Sequence, residues 1–322
     1  MKEFTINSND CGQRLDKFLS KALPDLPKSM LHKLIRKKEI KVNGKRCDAS
    51  EVLKEGATVK VFAKDEFLRA KNNRPPITYS PSVTHSNLEI TYEDENIIVI
   101  NKPIGLVVHC DDKHENNTLI NQVIGYLIEK GEFSPSSEVS FSPALCNRLD
   151  KNTCGLVIAA KNSAALREIN NAIKSHKILK TYMCITVNEL PEKTETLIAY
   201  HKTINEGNMV DIKNSEAEGY KKIISEYEVI SSKPPLNLVK VNLITGRKHQ
   251  IRAHLAHIGS PLLGDMKYGD KKINKAHKCF FQALCAFRLK FNFDKDSSLE
   301  YLNPLNIECA IPDSFKIILN GK

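Results

Sequence analysis

Apolar and polar residues follow two different periods along this chain, and the change of period marks its elements. Leu15, Phe18, Leu19 and Ala22 recur at i, i+3, i+4 and i+7, one face of a helix, and Pro24 closes it. A second helix opens near Pro27, where a proline suits the first turn, with Met30, Leu31, Leu34 and Ile35 as its apolar side. Ile40 to Arg46 alternates and turns at Asn43-Gly44, a strong hairpin signal. Thr58 to Phe62 reads as another strand. Residues 64–87 are charged, then rich in Pro, Ser and Thr without a period, with Pro75-Pro76 and Pro81 as breakers. They predict a flexible or semi-extended tether between a small domain over 1–63 and a larger one over 88–322.

In the larger part, Leu88 to Tyr92 alternates as a strand, Glu93 to Asn96 turns, and Ile97 to Asn101 is an unbroken apolar strand. Leu106 to His109 is extended, and Thr118 to Ile128 predicts a helix. Leu156 to Ala160 is a second apolar run, followed by a helix that Asn162 or Ser163 caps and that ends near Ser175. Lys180 to Val187, Ile223 to Ile230 and Leu236 to Leu243 read as strands. Strands adjacent in sequence and joined by short turns favour a mixed α/β domain with a largely antiparallel sheet. No Rossmann or Walker glycine pattern interrupts it.

Composition adds a polyanion to the picture. The chain carries 41% hydrophobic and 27% charged residues, a globular balance, with a net charge of +10. Between Gln13 and Asn72 there are 16 Lys and Arg against 8 Asp and Glu, a surplus of +8. A basic helix beside a basic hairpin makes a positive face that would release counterions from a phosphate backbone. No run of about 18 apolar residues occurs and the N-terminus lacks a signal-peptide core, so a cytoplasmic protein without a membrane anchor is expected. The nine cysteines are scattered without a Cys-x-x-Cys pair, as reduced thiols would be, and no metal site is expected.

Two stretches carry candidate chemistry. Asn147-Arg148-Leu149-Asp150 precedes a polar turn with Gly155 and the apolar run, an arrangement that can hold one carboxylate rigidly at a sheet edge. The same tripeptide, Arg14-Leu15-Asp16, lies on the first amphipathic helix and serves as an internal control. Thr245 to Gly259 forms a helix with Ile251, Leu255 and Ile258 inward, and Arg252 points off that stripe. Thr245-Gly246 leads into it, and free N–H groups there suit an anion. His249, His254 and His257 crowd the helix, but no carboxylate or cysteine lies close enough in sequence to complete a metal site. Leu263 to Gly269 makes a glycine-bounded loop.

These pieces, in this order, resemble the RluA family of RNA pseudouridine synthases. The resemblance rests on Asn101-Lys102-Pro103 with Gly105, Arg148-Leu149-Asp150 with Thr153 and Gly155, and Lys180 with Tyr182. Gly246-Arg247 with His249 to Arg252, and Gly264-Asp265 with Tyr268-Gly269, complete it. The N-terminal segment is similar to the S-four-like RNA-binding domain through Arg14 to Leu19, Lys28 to Leu31, Leu34 to Arg36 and Val42 to Lys45. Among the branches, the RluC type, which modifies uridines of large-subunit ribosomal RNA, is the most similar.

The resemblance implies an α+β pseudouridine synthase fold and an isomerase that needs no metal or cofactor. It makes Asp150 the nucleophile, attacking the sugar C1′ or the base C6, with Arg252 as its charge partner. Tyr182 would line the base and is the candidate for removing the C5 proton. Arg148 would fill the space vacated by a flipped uridine, whose extrusion costs a few kcal/mol. Lys28, Ser29, Arg36, Lys37, Lys38, Lys41, Asn43 and Lys45 would face RNA, the expected partner being large-subunit ribosomal RNA or its precursor, with the protein a monomer. Two positions depart from the family: Asn147 stands where His is usual before Arg-Leu-Asp, and Cys154 where Ser is usual. An inactive RNA-binding or ribosome-assembly protein, and the same chemistry on transfer RNA, are the competing readings. A glycoside hydrolase would need a second carboxylate, and none is evident near the motif.

Overall fold

The computed structural model describes residues 1–68, 88–109, 117–204 and 209–320. Its N-terminal part contains β1 (Lys2–Thr5), α1 (Leu15–Ala22), α2 (Lys28–Arg36), β2 (Ile40–Val42), β3 (Lys45–Arg46), β4 (Thr58–Val61) and α3 (Asp65–Leu68). The four strands pair antiparallel in the order β1-β4-β2-β3. Leu15, Phe18, Leu19 and Ala22 are all buried, as their spacing requires, against Leu31, Ile35, Ile40, Val59 and Val61. At the start of the stretch expected as a linker, 64–87, the chain is still helical. Residues 65–68 form α3, whose Leu68 joins this core and whose carbonyl accepts a hydrogen bond from Lys2 Nζ. The rest of that stretch, 69–87, lies outside the described residues.

The larger part contains β5 (Ile90–Glu93), β6 (Ile97–Lys102), α4 (Leu119–Glu129), β7 (Ala144–Leu145), β8 (Cys154–Ala160) and α5 (Ser163–Lys174). β9 (Ile178–Val187), β10 (Thr194–Ile204), β11 (Met209–Lys213), β12 (Lys221–Lys233) and β13 (Leu236–Leu243) follow. The chain continues through α6 (Gln250–His257), α7 (Lys271–Ala276), β14 (Leu284–Phe291), β15 (Asn306–Glu308) and α8 (Asp313–Asn320). The strands form one 11-stranded sheet whose main path runs β11-β10-β12-β13-β9-β14-β8-β6-β5. Its pairings are antiparallel except that of β14 with β8. Thr118 and Asn162 cap α4 and α5 by accepting from the N–H groups of Asn121 and Ala165.

Both faces of the middle of this sheet are buried, which accounts for the unbroken apolar runs of β6 and β8. Along β8, Leu156 and Ile158 face one core with α5, while Val157 and Ala159 face the other with α4 and α6. Asp150 sits in the loop that feeds β8, an interior strand third from the β5 end of the main path. That loop depends on Gly155, where φ is +106° and a Cβ would lie 2.3 Å from the carbonyl oxygen of Ala286 on β14. Only glycine lets the two strands approach so closely.

The two parts also touch directly. Asn9 donates to Glu138 at 2.8 Å and accepts from the Ser163 N–H at 3.1 Å. Ser140 donates to Asp10 and accepts from Gln13, both at 2.6 Å, and Arg167 donates to the Cys11 carbonyl at 3.0 Å. The small domain is thus seated on α5 and the segment before β7 as well as joined through the chain.

Gly155→Ala is expected to destabilise the fold by about 3 kcal/mol or more, since both the left-handed backbone and the contact with Ala286 resist a methyl group. Denaturant unfolding of the variant checks this; wild-type stability would show that β8 and β14 can separate freely.

Candidate active site

The loop between β7 and β8 is held from three sides before any catalytic geometry is considered. Asn147 spends its whole amide on β8: Oδ1 accepts from the Ile158 N–H at 2.8 Å, and Nδ2 donates to the Leu156 carbonyl at 3.2 Å. Lys102, fully buried at the end of β6, donates to the carbonyls of Pro103, Leu106 and Lys151 at 2.9, 2.8 and 3.0 Å. Burial pushes its ammonium down to about 8, against the pull of Cys154 and Asp150. Gln282 donates to Thr153 at 3.2 Å from the other flank.

Asp150 points from this loop into a cleft of about 900 Å3. Arg148, Lys151, Lys180, Arg247, Lys248, Arg252 and Lys267 also line it, and among the described lining residues Asp150 is the one carboxylate. The Asp150 side chain keeps 31% of its surface exposed while its partner Arg252 keeps 7%. Arg252 Nη1 donates to Asp150 Oδ2 at 2.5 Å. Its Nε and Nη2 donate to the two oxygens of Asp265 at 2.7 and 2.9 Å, a bidentate pair. Asp265 is fully buried and also accepts from the N–H groups of Lys267 and Tyr268 at 2.9 and 3.1 Å.

The electrostatics follow from that chain of contacts. Burial works against the charge of Arg252, but Asp265 and then Asp150 overcome it and hold the guanidinium firmly protonated. Burial likewise opposes the Asp265 carboxylate, and Arg252 reverses the effect, so its pKa lies below the ordinary value. Arg252 lies off the apolar stripe of α6, as its position requires, yet it is buried in this ion pair rather than solvated.

His249 precedes α6 in a left-handed conformation, with φ at 51°. Its Nδ1 meets the Tyr268 hydroxyl at 2.9 Å, and its Nε2 lies 3.8 Å from Asp150. Burial pushes the ring down to about 4 despite Asp150, so it is neutral at neutral pH. The N–H of Arg247, part of the turn read as an anion site, is already taken by the Gln250 side chain at 3.1 Å. Tyr182 lines the cleft from β9, and burial followed by the charge of Asp150 raises its phenol well above the ordinary value.

Arg148 lies on the exposed rim of the same cleft, and its charge lowers His109, which burial already depresses. Lys28, Ser29, Arg36, Lys37, Lys38, Lys41, Asn43 and Lys45 are all exposed on or beside α2 and the β2–β3 hairpin. Asn43 also ties the hairpin turn to β4 by accepting from the Thr58 N–H at 2.8 Å. His254 and His257 turn to different partners, Ser225 at 3.2 Å and Asn214 at 2.6 Å. Among the described residues no group of three His, Cys, Asp or Glu is placed to hold a metal, and no helix is long and apolar enough to cross a membrane. Three contributors escaped the sequence reading: Asp265, Lys102 and His249 appear there as parts of motifs without a role. The glycine beside Asp265 was the available signal, since a carboxylate in a tight glycine-bounded loop is often fixed for a purpose.

The buried histidines make a pH prediction. His249 and His254 titrate at about 4 in the folded protein and at about 6.5 unfolded. Only the unfolded chain takes up these protons as pH falls from about 6.5 towards 4. The stabilisation is therefore complete above 6.5 and is lost on the way down. Urea unfolding is expected to show a loss of about 2 kcal/mol per histidine between pH 7 and 4.5, and His249→Gln to remove its share. A pH-independent difference between the variant and the wild type would contradict the burial of a neutral ring.

Comparison with known proteins meets this geometry from another side. Residues 96–257 match the RNA pseudouridylate synthase family, and residues 13–59 match the S4 domain. An RNA pseudouridine synthase of Mycoplasma capricolum is 35% identical over 94% of this chain and 95% of its own. The ribosomal large subunit pseudouridine synthase C of Rickettsia conorii is 33% identical over 84% of this chain and 86% of its own. The solved structure of the human RNA pseudouridylate synthase domain containing 4 shares the fold, with a TM-score of 0.57, 24% identity, and coverage of 73% of this chain and 94% of that one. With its central carboxylate loop, its largely antiparallel sheet and its basic N-terminal domain, this chain belongs to the RluA family of RNA pseudouridine synthases, isomerases of uridine in RNA.

Proposed function

We propose that this enzyme isomerises specific uridines of large-subunit ribosomal RNA, with Asp150 as the nucleophile. The observation that carries the chemistry is the chain Asp265–Arg252–Asp150. A carboxylate alone in a cationic cleft, bonded at 2.5 Å to an arginine that a second carboxylate clamps, is held in one orientation. The choice of RNA rests on relatives whose names specify the large ribosomal subunit, such as that of Rickettsia conorii, and on the basic α2–β3 face.

In this reading the target uridine is flipped into the cleft and Arg148 occupies the vacated stack. An Asp150 oxygen attacks C1′ or C6, and the bond between N1 and C1′ breaks. The base turns, C5 bonds to C1′, the C5 proton leaves, and N1 ends protonated, so the product is an isomer of the substrate. Arg252 stabilises the carboxylate before attack and again when it is released. Tyr182 forms the aromatic wall against the uracil. In the free enzyme its phenol is a poor base, because burial and the Asp150 charge hold the proton on. Asn147, which stands where the family usually has His, acts by fixing the loop to β8 through its amide.

Asp150→Asn is expected to lower pseudouridine formation by at least about a thousandfold while RNA affinity stays near wild type. Pseudouridine mapping of a large-subunit ribosomal RNA transcript, with a parallel binding measurement, tests it. Substantial turnover by the variant would remove Asp150 from the role, and activity confined to transfer RNA would redirect the substrate.

A further inference from the structure

Beside the charged groups of the cleft stand two large apolar side chains that packing does not explain. Phe280 is 55% exposed and Met266 50% exposed, and both line the cleft that holds Asp150. Apolar surface left open at the rim of a site is informative where polar residues surround it. Here the surroundings are cationic, with Arg148, Lys180 and Arg247 on the same cleft.

The loop bearing Phe280 is built to stay in place. A Cβ at Gly264 would lie 2.1 Å from the Phe281 carbonyl oxygen and 2.6 Å from Cys279 Sγ, so the loop rests directly on the segment that carries Asp265. Ala283 N–H donates to the Leu263 carbonyl at 2.8 Å, and Cys279 N–H to Asn274 at 3.0 Å. On the other flank Gln282 donates to Thr153 in the Asp150 loop. The backbone on both sides of Phe280 is therefore tied to the segments that carry Asp150 and Asp265, while its side chain stays 55% exposed.

We propose that Phe280, with Met266 on the same cleft, is a stacking platform for an unpaired nucleobase next to the target uridine. The proposal rests on reading the cleft as the uridine site. Flipping one nucleotide unstacks its neighbours, and an exposed ring at the rim offers a π-face to replace the lost contact. Cations on the same cleft meet the flanking phosphates, so charge and stacking surface suit single-stranded RNA rather than an apolar peptide. The platform acts on binding and on which sequence context is tolerated; it takes no part in bond making.

The test compares wild type with Phe280→Ala, Phe280→Trp and Phe280→Leu, using binding of a uridine-rich single-stranded RNA oligonucleotide. The side chain is mostly exposed, so melting temperatures should stay close to wild type in all four proteins. Phe280→Ala is expected to weaken binding about tenfold, Phe280→Trp to restore it within about twofold, and Phe280→Leu to remain weak. On a ribosomal RNA transcript the same loss should appear in KM, with kcat nearly unchanged. Wild-type affinity in Phe280→Ala, or full restoration by Leu, would overturn the platform. Absence of pseudouridine formation by the wild type would instead reject the uridine-isomerase reading, and the oligonucleotide binding would still decide the platform.

Discussion

The site depends on one buried ion pair. Arg252 and Asp265 are each almost or wholly removed from solvent, and neither charge would be tolerable there without the other. Taking two charges out of water is costly, and such a pair adds little to stability by itself. Its effect is geometric. Two of the guanidinium's donors are fixed on Asp265, so the third aims at Asp150 without freedom to swing away. Asp265 is in turn set by two backbone N–H groups of its own loop. The partly exposed Asp150 carboxylate on the cleft is therefore at the end of a rigid chain that begins in the core.

The sheet makes that chain possible. Asp150 is delivered by β8, which is buried along its entire length between two cores, and Arg252 by α6, which packs on one of them through Ile251 and Leu255. β14 pairs with both β8 and β9 and so sets the distance between the Asp150 loop and Tyr182. Lys102 and Asn147 then stop the loop from flexing, one by joining three carbonyls and the other by binding β8 edge-on. In this arrangement Asp150 is the one carboxylate among the described lining residues of a cleft that several cationic side chains also line, which suits a site for a polyanion.

Much of this was legible in the residues. The α1 and α2 stripes, the Asn43-Gly44 hairpin, both apolar central strands and the caps at Thr118 and Asn162 follow from local periodicity and turn chemistry, which act over a few residues. Asp150, Tyr182 and Arg252 were marked by motifs and are brought to one cleft. What escaped depends on partners distant in sequence. The clamp of Asp265 on Arg252 joins α6 to the loop that follows it, and no spacing announces it. β10 and β11 lie at one end of the sheet, where β10 is mostly polar towards both ends and β11 is only five residues long, so neither offers a long apolar period. The charged start of the expected linker hid Leu68, whose burial only the folded domain reveals. The seating of the small domain on α5 uses scattered polar contacts without a pattern, and Phe280 lies in an irregular loop where one exposed ring has no periodic meaning.

The most direct measurement is the single-turnover rate of pseudouridine formation by Arg252→Lys, taken together with its RNA affinity. Lysine keeps the charge but lacks the planar fork that spans Asp265 and Asp150. If the fork aims the nucleophile, the rate falls by about a hundredfold or more while affinity changes by less than about threefold. A near-wild-type rate would mean that a positive charge alone suffices, and would contradict the clamp as the organising interaction of the site.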